Sequence, residues 1–387
     1  MNRDCCVCNS SNADEFIRQK WKLPFIGSNK IGFAVCRDCG LVYQSTTPSP
    51  KNINMYYESA AAYINAGRSG DVSEQKKRFV QRQLYTLFDV LGCVPRNIFQ
   101  VGCSEGYTLS MFLDSGSSKV AGVDPSIASH KLAKEKYGID TSIGFFEDYH
   151  LTGEVYDLIV LTHVLEHLFD PVGILKKCSL MQNDDGWVLI EVPLFEGCSF
   201  FPPGMFTLEH LNYFSENNLK RMVYKIGYEP YFIGKYFYNV DYPVIMMVCQ
   251  KKTNDNENNR NDYEYNIEIV KEYLRKESLS WKKVEERVRK TIPDGEKVYI
   301  YGAGLHTTQL LANTDIEQHV EIVGLLDSSP TKWGKRIGDY ECNRPNTVCE
   351  GIKYIVISSY ASEDEIYEFL VAGYDDLKIV KLYGVMR

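Results

Sequence analysis

At 387 residues the chain is longer than one ordinary hydrophobic core supports, so two large units and a smaller one are expected. Its 44% hydrophobic and 24% charged residues exclude a disordered or fibrous chain. A net charge of −8 runs against a general nucleic-acid binder, whose affinity rests on a basic face, and favours a substrate smaller than a polymer.

The amino terminus, MNRDCC, lacks the basic and apolar segments of a signal peptide, and no apolar run reaches the length that spans a bilayer. A cytoplasmic protein with neither a nucleic-acid nor a membrane partner is expected; the oligomeric state stays open. Cys5 and Cys8 form one C-x-x-C pair, and Cys36 and Cys39 form a second, followed at once by Gly40. Two such knuckles present four thiolates to one zinc ion, and with no fifth position for water the metal would be structural. The chemistry is therefore expected elsewhere.

A Pro-containing stretch at Pro48 and Pro50 precedes a helical segment over residues 73–91. From Asn97 onward, NIFQVG, VAGVD, YDLIVLT and GWVLIEV read as buried parallel strands separated by amphipathic helices, a doubly wound α/β sheet. Ser215 is placed to cap a helix ending near Gly227, and two late strands follow. Residues 251–262 are almost devoid of apolar side chains and read as a linker. A long charged helix runs from there to about Lys290, and KVYIYGAG, VEIVGLLD, KYIVISSY and KIVKLYG restart the alternation as a smaller Rossmann-like unit. The domains expected are 1–72, 73–252 and 263–387, with 253–262 as the link.

The turn Gly102-Cys103-Ser104-Glu105-Gly106, between a strand and a helix, lets the backbone approach a nucleoside closely. Asp124 ends the next strand, where a carboxylate accepts from the ribose hydroxyls of an adenosine. The acidic pair Glu147-Asp148, after Phe145-Phe146, falls where the third strand ends and is placed to meet the adenine. Both S-adenosylmethionine and NAD carry such an adenosine, but the turn lacks the G-x-G-x-x-G spacing of a pyrophosphate site. After the fourth strand, His163 and His167 fall at the ligand-binding edge of the sheet. Glu209-His210 lies on the same edge, where a carboxylate beside an imidazole makes a candidate general base. In the last unit, Gly302-Ala303-Gly304 with Asp327 beyond has the outline of a dinucleotide turn, but Thr307 replaces the third glycine.

The glycine turn, the acidic second strand and the strand count resemble class I methyltransferases, with Gln100 where that family usually has an acid. Adding the two cysteine pairs and Glu209-His210-Leu211-Asn212-Tyr213-Phe214-Ser215, the chain resembles the three-domain sugar C-methyltransferases. That resemblance implies a class I, S-adenosylmethionine-dependent core between a small zinc-binding domain and a C-terminal Rossmann-like domain. The implied substrate is a nucleotide-linked 4-keto-deoxy sugar methylated at C3. The implied catalytic residues are His210, Glu209, His167 and Tyr63, with Tyr57 as a substitute for Tyr63. The implied cofactor contacts are Gly102, Ser104, Glu105, Gly106, Asp124, Phe146, Glu147 and His163. Thr207 replaces a family tyrosine, and Leu305-His306 replaces Lys-Gly. O- or N-methylation of a sugar, or a binding protein on a methyltransferase fold, are the alternatives.

Overall fold

The structure is a computed structural model that describes residues 1–23, 27–55, 72–200, 203–237, 243–252, 260–348, 351–374 and 376–384. Tyr57 and Tyr63 lie outside the described residues. Three sheets organise the described residues.

The first sheet has the antiparallel order β1-β2-β3-β9, built from β1 (Ala13–Leu23), β2 (Gly27–Cys36), β3 (Val42–Thr46) and a two-residue β9 (Asn212–Tyr213). Three of its strands come from the first 46 residues. The fourth is lent by the segment after His210, with Val42 opposite Tyr213 and Tyr43 opposite Asn212.

The central sheet contains β4 (Asn97–Val101), β5 (Lys119–Asp124), β6 (Ser142–Ile143), β7 (Tyr156–Thr162), β8 (Gln182–Pro193), β10 (Tyr228–Tyr236) and β11 (Val244–Lys251). Their order is β10-β11-β8-β7-β4-β5-β6. β6, β5, β4, β7 and β8 run parallel, and β11 is antiparallel to both neighbours. The parallel strands are continuous apolar runs because helices cover both faces. Those helices begin and end where local chemistry predicts. Ser73 caps α1 (Glu74–Leu91) by accepting from Lys76, and left-handed Gly92 ends it. α2 (Tyr107–Asp114) follows the glycine turn, Ser126 caps α3 (Ile127–Tyr137), and Asp170 with Pro171 opens α4 (Pro171–Ser179). Ser215 caps α5 (Glu216–Lys225) as expected.

The third sheet, order β14-β15-β13-β12-β16-β17, uses β12 (Lys297–Tyr301), β13 (Glu321–Leu326), β14 (Arg336–Ile337), β15 (Tyr340–Asn343), β16 (Tyr354–Ile357) and β17 (Lys378–Lys381). Only β14 is antiparallel to its neighbour. It is reached through the 29-residue helix α6 (Tyr263–Thr291) and packs with α7 (Leu305–Asn313), α8 (Ile316–His319) and α9 (Glu363–Gly373).

Two boundaries differ from the sequence reading. Residues 260–262 are not loose: Asp262 is 4% exposed and accepts from Asn217, and Asn261 donates to the Arg37 carbonyl at 2.7 Å. Polar composition misleads there because Asn261 satisfies a backbone carbonyl beside the cysteine knuckle, while Asp262 accepts from Asn217 and pairs with Arg260. Helix α6 also belongs to two cores. Val270 and Tyr273 pack with Phe33, Val42 and Phe206, whereas Trp281, Val284 and Val288 pack under the third sheet.

Candidate active site

The four cysteine sulfurs all lie within 4.8 Å of one another, with Cys5 and Cys39 3.5 Å apart and Cys8 and Cys36 3.5 Å apart. Tetrahedral zinc with Zn–S bonds of about 2.3 Å separates its sulfurs by about 3.8 Å, so the donor set and its spacing fit a structural zinc ion. The knuckle turns close through Asn9 N–H to Cys5 O and Gly40 N–H to Cys36 O, both 2.8 Å. Gly40 has φ +76°, and a Cβ there would stand 2.7 Å from the Asp262 carbonyl carbon. Only glycine permits this approach of the knuckle to the start of α6. Asn218 of α5 and Asn266 of α6 donate to the Cys39 and Gly40 carbonyls at 2.9 and 2.7 Å.

At the carboxyl edge of the central sheet lies a cavity of about 470 Å³. That is the size of a small-molecule site, at the place where an open α/β sheet binds ligands. Gly102, Ser104, Asp124, Phe146, Glu147, His163 and His167 line it. Gly102 (φ +67°) and Ser104 (φ +47°) bend the chain sharply after β4. The Ser104 amide donates to one oxygen of Asp124 and the Ser126 amide to the other, each at 2.9 Å. Both amides favour the carboxylate, but burial outweighs them and raises the Asp124 pKa. Its remaining lone pairs are available to ribose hydroxyls. Gln100 ends up on the same wall, and its buried Oε1 has no hydrogen-bond partner among the described residues. An orphaned amide oxygen here suits a cationic amino donor of the ligand.

Glu105 and Gly106 stand outside the cavity lining. Glu105 is drawn aside by Lys76 at 2.5 Å and by the Ser104 hydroxyl at 2.6 Å; burial opposes its charge, yet the Lys76 ammonium holds it below the usual carboxylate range. Gly106 (φ +79°) caps α2 and packs on Ala133, where a Cβ would come within 2.9 Å. Its role is helix-to-helix approach.

Next to the cavity the chain assembles an imidazole cluster. His163 follows β7 with φ +55°, one of three non-glycine residues in the left-handed region among those described. With Ser104, two of the three line the cavity, a place where backbone strain often marks function. His167 Nδ1 meets the Glu209 carbonyl oxygen at 2.9 Å, which makes Nδ1 the protonated nitrogen. The His167 and His210 rings touch edge to face, centroids 5.0 Å apart. Burial and the neighbouring His167 push the His210 pKa down to about 3, against the pull of Glu166.

Sequence reasoning pairs Glu209 with His210, but the carboxylate grouped with His167 and His210 within 4.8 Å is Glu166. The i to i+4 spacing of His163 and His167 held the clue, since Glu166 lies between them. The loop carrying His210 is also fixed by residues that no motif announces. Gln44 of β3 donates to the carbonyls of Thr207, Leu208 and His210 at 2.7, 2.9 and 3.0 Å. Arg3 donates to the carbonyls of Gln44, Leu211 and Phe169.

Residues 72–231 match the family described as a methyltransferase domain. Over those residues the chain is similar to S-adenosylmethionine-dependent methyltransferases. Residues 295–380 match a second family, described as C2185-like, N-terminal. Among curated relatives, a probable S-adenosylmethionine-dependent methyltransferase of Mycolicibacterium smegmatis is 26% identical over 26% of this chain and 39% of its own length. A tRNA U34 carboxymethyltransferase of Aliarcobacter butzleri is 27% identical over 26% of this chain and 34% of its own. The chain thus spans little more than a third of the relatives it matches. A solved structure of the N-methyltransferase NodS from Bradyrhizobium japonicum with S-adenosylhomocysteine is 12% identical, with 50% of this chain and 97% of that one covered and a TM-score of 0.41. None of the described helices is long and apolar enough to cross a membrane.

Proposed function

We propose that the protein transfers a methyl group from S-adenosylmethionine to C3 of a nucleotide-linked 4-keto-deoxy sugar. The observation that carries this reading is the His167–His210 pair set against the edge of the cofactor cavity, an acid–base cluster suited to carbon acid chemistry. A C4 ketone acidifies the C3 proton. His210, neutral over the working pH range, removes it, and a donor hydroxyl such as that of Tyr63 hydrogen-bonds the enolate oxygen as charge develops there, since His167 spends its Nδ1 proton on the Glu209 carbonyl. Bound S-adenosylmethionine supplies the electrophilic methyl, which the enolate carbon takes as the S–CH₃ bond breaks to leave S-adenosylhomocysteine. Asp124 holds the ribose, Gln100 Oε1 accepts from the cofactor's amino group, and Phe146 with Glu147 borders the adenine. Zinc on Cys5, Cys8, Cys36 and Cys39 is structural in this reading.

The tRNA activity of the named relatives does not carry over easily, because the similarity spans only 26% of the chain and the net charge is −8. Incubating the protein with S-adenosylhomocysteine and a panel of nucleotide-linked 4-keto-6-deoxyhexoses in deuterated water tests the proposal. Deuterium is expected at the carbon beside the ketone, and substituting His210→Gln is expected to slow its entry by roughly 100-fold. Absence of carbon-bound deuterium, together with methyl transfer to oxygen or nitrogen in a parallel incubation with S-adenosylmethionine, would reject C-methylation.

A further inference from the structure

Glu166 and Glu191 are two carboxylates each 1% exposed, one in the turn after β7 and the other on β8. Buried anions of this kind persist only when paired with cations. Arg82 of α1 supplies one, 2.5 Å from a Glu191 oxygen, and Gln83 donates to the other oxygen at 2.6 Å. Between the two carboxylates stands His163, with Nδ1 3.3 Å from Glu166 Oε1 and Nε2 3.8 Å from Glu191 Oε1. One arginine and one imidazolium balance two carboxylates, so charge neutrality is reached when His163 carries a proton on each nitrogen. Beyond it, Glu166 Oε1 lies 3.8 Å from His167 Nε2, and the His210 ring joins the same group.

We propose that Glu166, kept ionised by the imidazolium of His163, is the positioning carboxylate of the His167–His210 pair. This rests on the reading of His210 as the base. Glu166 is absent from the cavity lining and needs no contact with substrate. Its negative charge stabilises an imidazolium forming beside it as the substrate proton is taken, and its geometry aligns the two rings in advance. The electrostatics agree in direction. Burial lowers the His163 pKa, but Glu166 and Glu191 outweigh it and raise the ring above its usual value. Burial likewise pushes Glu166 up, and the imidazoles of His163, His167 and His210 pull it down to about 2. The groups facing this chain come from every packed element: Arg82 from α1, Glu191 from β8, His163 and His167 from the turn after β7, and His210 from the loop before β9.

Nitrogen-15 NMR of the full-length protein with labelled histidines reads the arrangement directly. At pH 7 the wild-type His163 ring is expected doubly protonated and His210 neutral. In Glu166→Gln, His163 loses its proton, and turnover falls roughly 100-fold while affinity for S-adenosylhomocysteine is retained. Glu166→Asp restores part of the rate, which a merely structural carboxylate would not predict. His163→Gln is the second variant, and removing that cation raises the His210 pKa. The proposal is overturned if His163 is neutral at pH 7 in the wild type, or titrates identically in Glu166→Gln. A transition metal bound stoichiometrically by Glu166, His167 and His210 would also overturn it. Failure of the base assignment shows itself separately, as full turnover in His210→Gln, and leaves the titration difference between wild type and Glu166→Gln in place.

Discussion

His306 shows how one residue reports on the C-terminal unit. It occupies the position where a dinucleotide turn leaves room for phosphate, and instead joins Ser358 Oγ at 2.9 Å and Tyr383 OH at 2.6 Å through its two nitrogens. Burial lowers its pKa to about 4. An unfolded histidine titrates near 6.5, so between these values the unfolded chain binds a proton that the folded chain refuses. The stabilisation from the neutral ring is therefore complete above about pH 6.5 and is lost as pH falls toward 4. Replacing His306→Gln is expected to cost about 1–3 kcal/mol at pH 8 by stranding the Ser358 and Tyr383 hydroxyls. Melting curves of both proteins at pH 8 and pH 4.5 check this. The gap between them should narrow at the lower pH, and a constant gap would count against the buried neutral ring. Asp327, the second mark of the dinucleotide outline, is likewise occupied: it accepts from the Ala303 and Ser329 amides at 2.9 Å and pairs with Lys332 at 2.5 Å.

At the scale of elements, the segment from Gly204 to Phe214 decides the site, and three parts of the molecule hold it. Gln309 of α7 donates to the carbonyls of Gly204 and Phe206 at 2.8 and 3.2 Å, and Glu277 and Tyr273 of α6 accept from the amides of Gly204 and Met205. Gln44 and Arg3 grip its other side, and β9 pairs with β3. Gln309→Ala should leave two carbonyls without their donor, costing about 1–3 kcal/mol locally, and lower kcat while cofactor affinity is retained. Equal losses in kcat and in S-adenosylhomocysteine binding by calorimetry would show that the brace acts on the whole fold instead. The parallel strands, the capped helices and the Asp124 turn were readable because each shows as a local pattern: an apolar run, a cap residue, or a glycine turn and an acidic strand end. β9 could not be read that way: two residues become a strand only by meeting β3 some 170 positions earlier in the chain. Glu166 was hidden for a related reason, since its partner His210 reaches it through folding alone.

On the scale of the whole molecule, the cysteine knuckle, the central sheet and the C-terminal unit meet on that one segment. Cys5, Cys36, Cys39, Leu41 and Tyr43 share a continuous core with Leu161, Ile190, Phe214 and Met222 of the central unit. The first sheet buries Ile31, Phe33, Val35 and Val42 of its own, but the turns at Cys5–Cys8 and Cys36–Cys39 close on the site that zinc would fill, so without that metal the turn leading into β3 and Gln44 would lose its anchor. The cavity at the carboxyl edge, by contrast, is lined mainly by β4, β5, β7 and the turns after them, with Lys76 of α1 and with Ile53 and Asn54 from the N-terminal part. Stripping metal from the protein with a chelator should therefore separate two properties. Metal content by atomic emission should fall from one zinc per chain as methyl transfer is lost, while S-adenosylhomocysteine still binds with nearly its original affinity. Returning zinc should recover both metal and turnover. Cys39→Ser should reproduce the chelated state, because a hydroxyl ligates zinc far more weakly than a thiolate. If metal loss abolished cofactor binding to the same extent as turnover, the knuckle would be supporting the central sheet itself. If turnover survived complete metal removal, Gln44 and β9 would be held by the shared core alone.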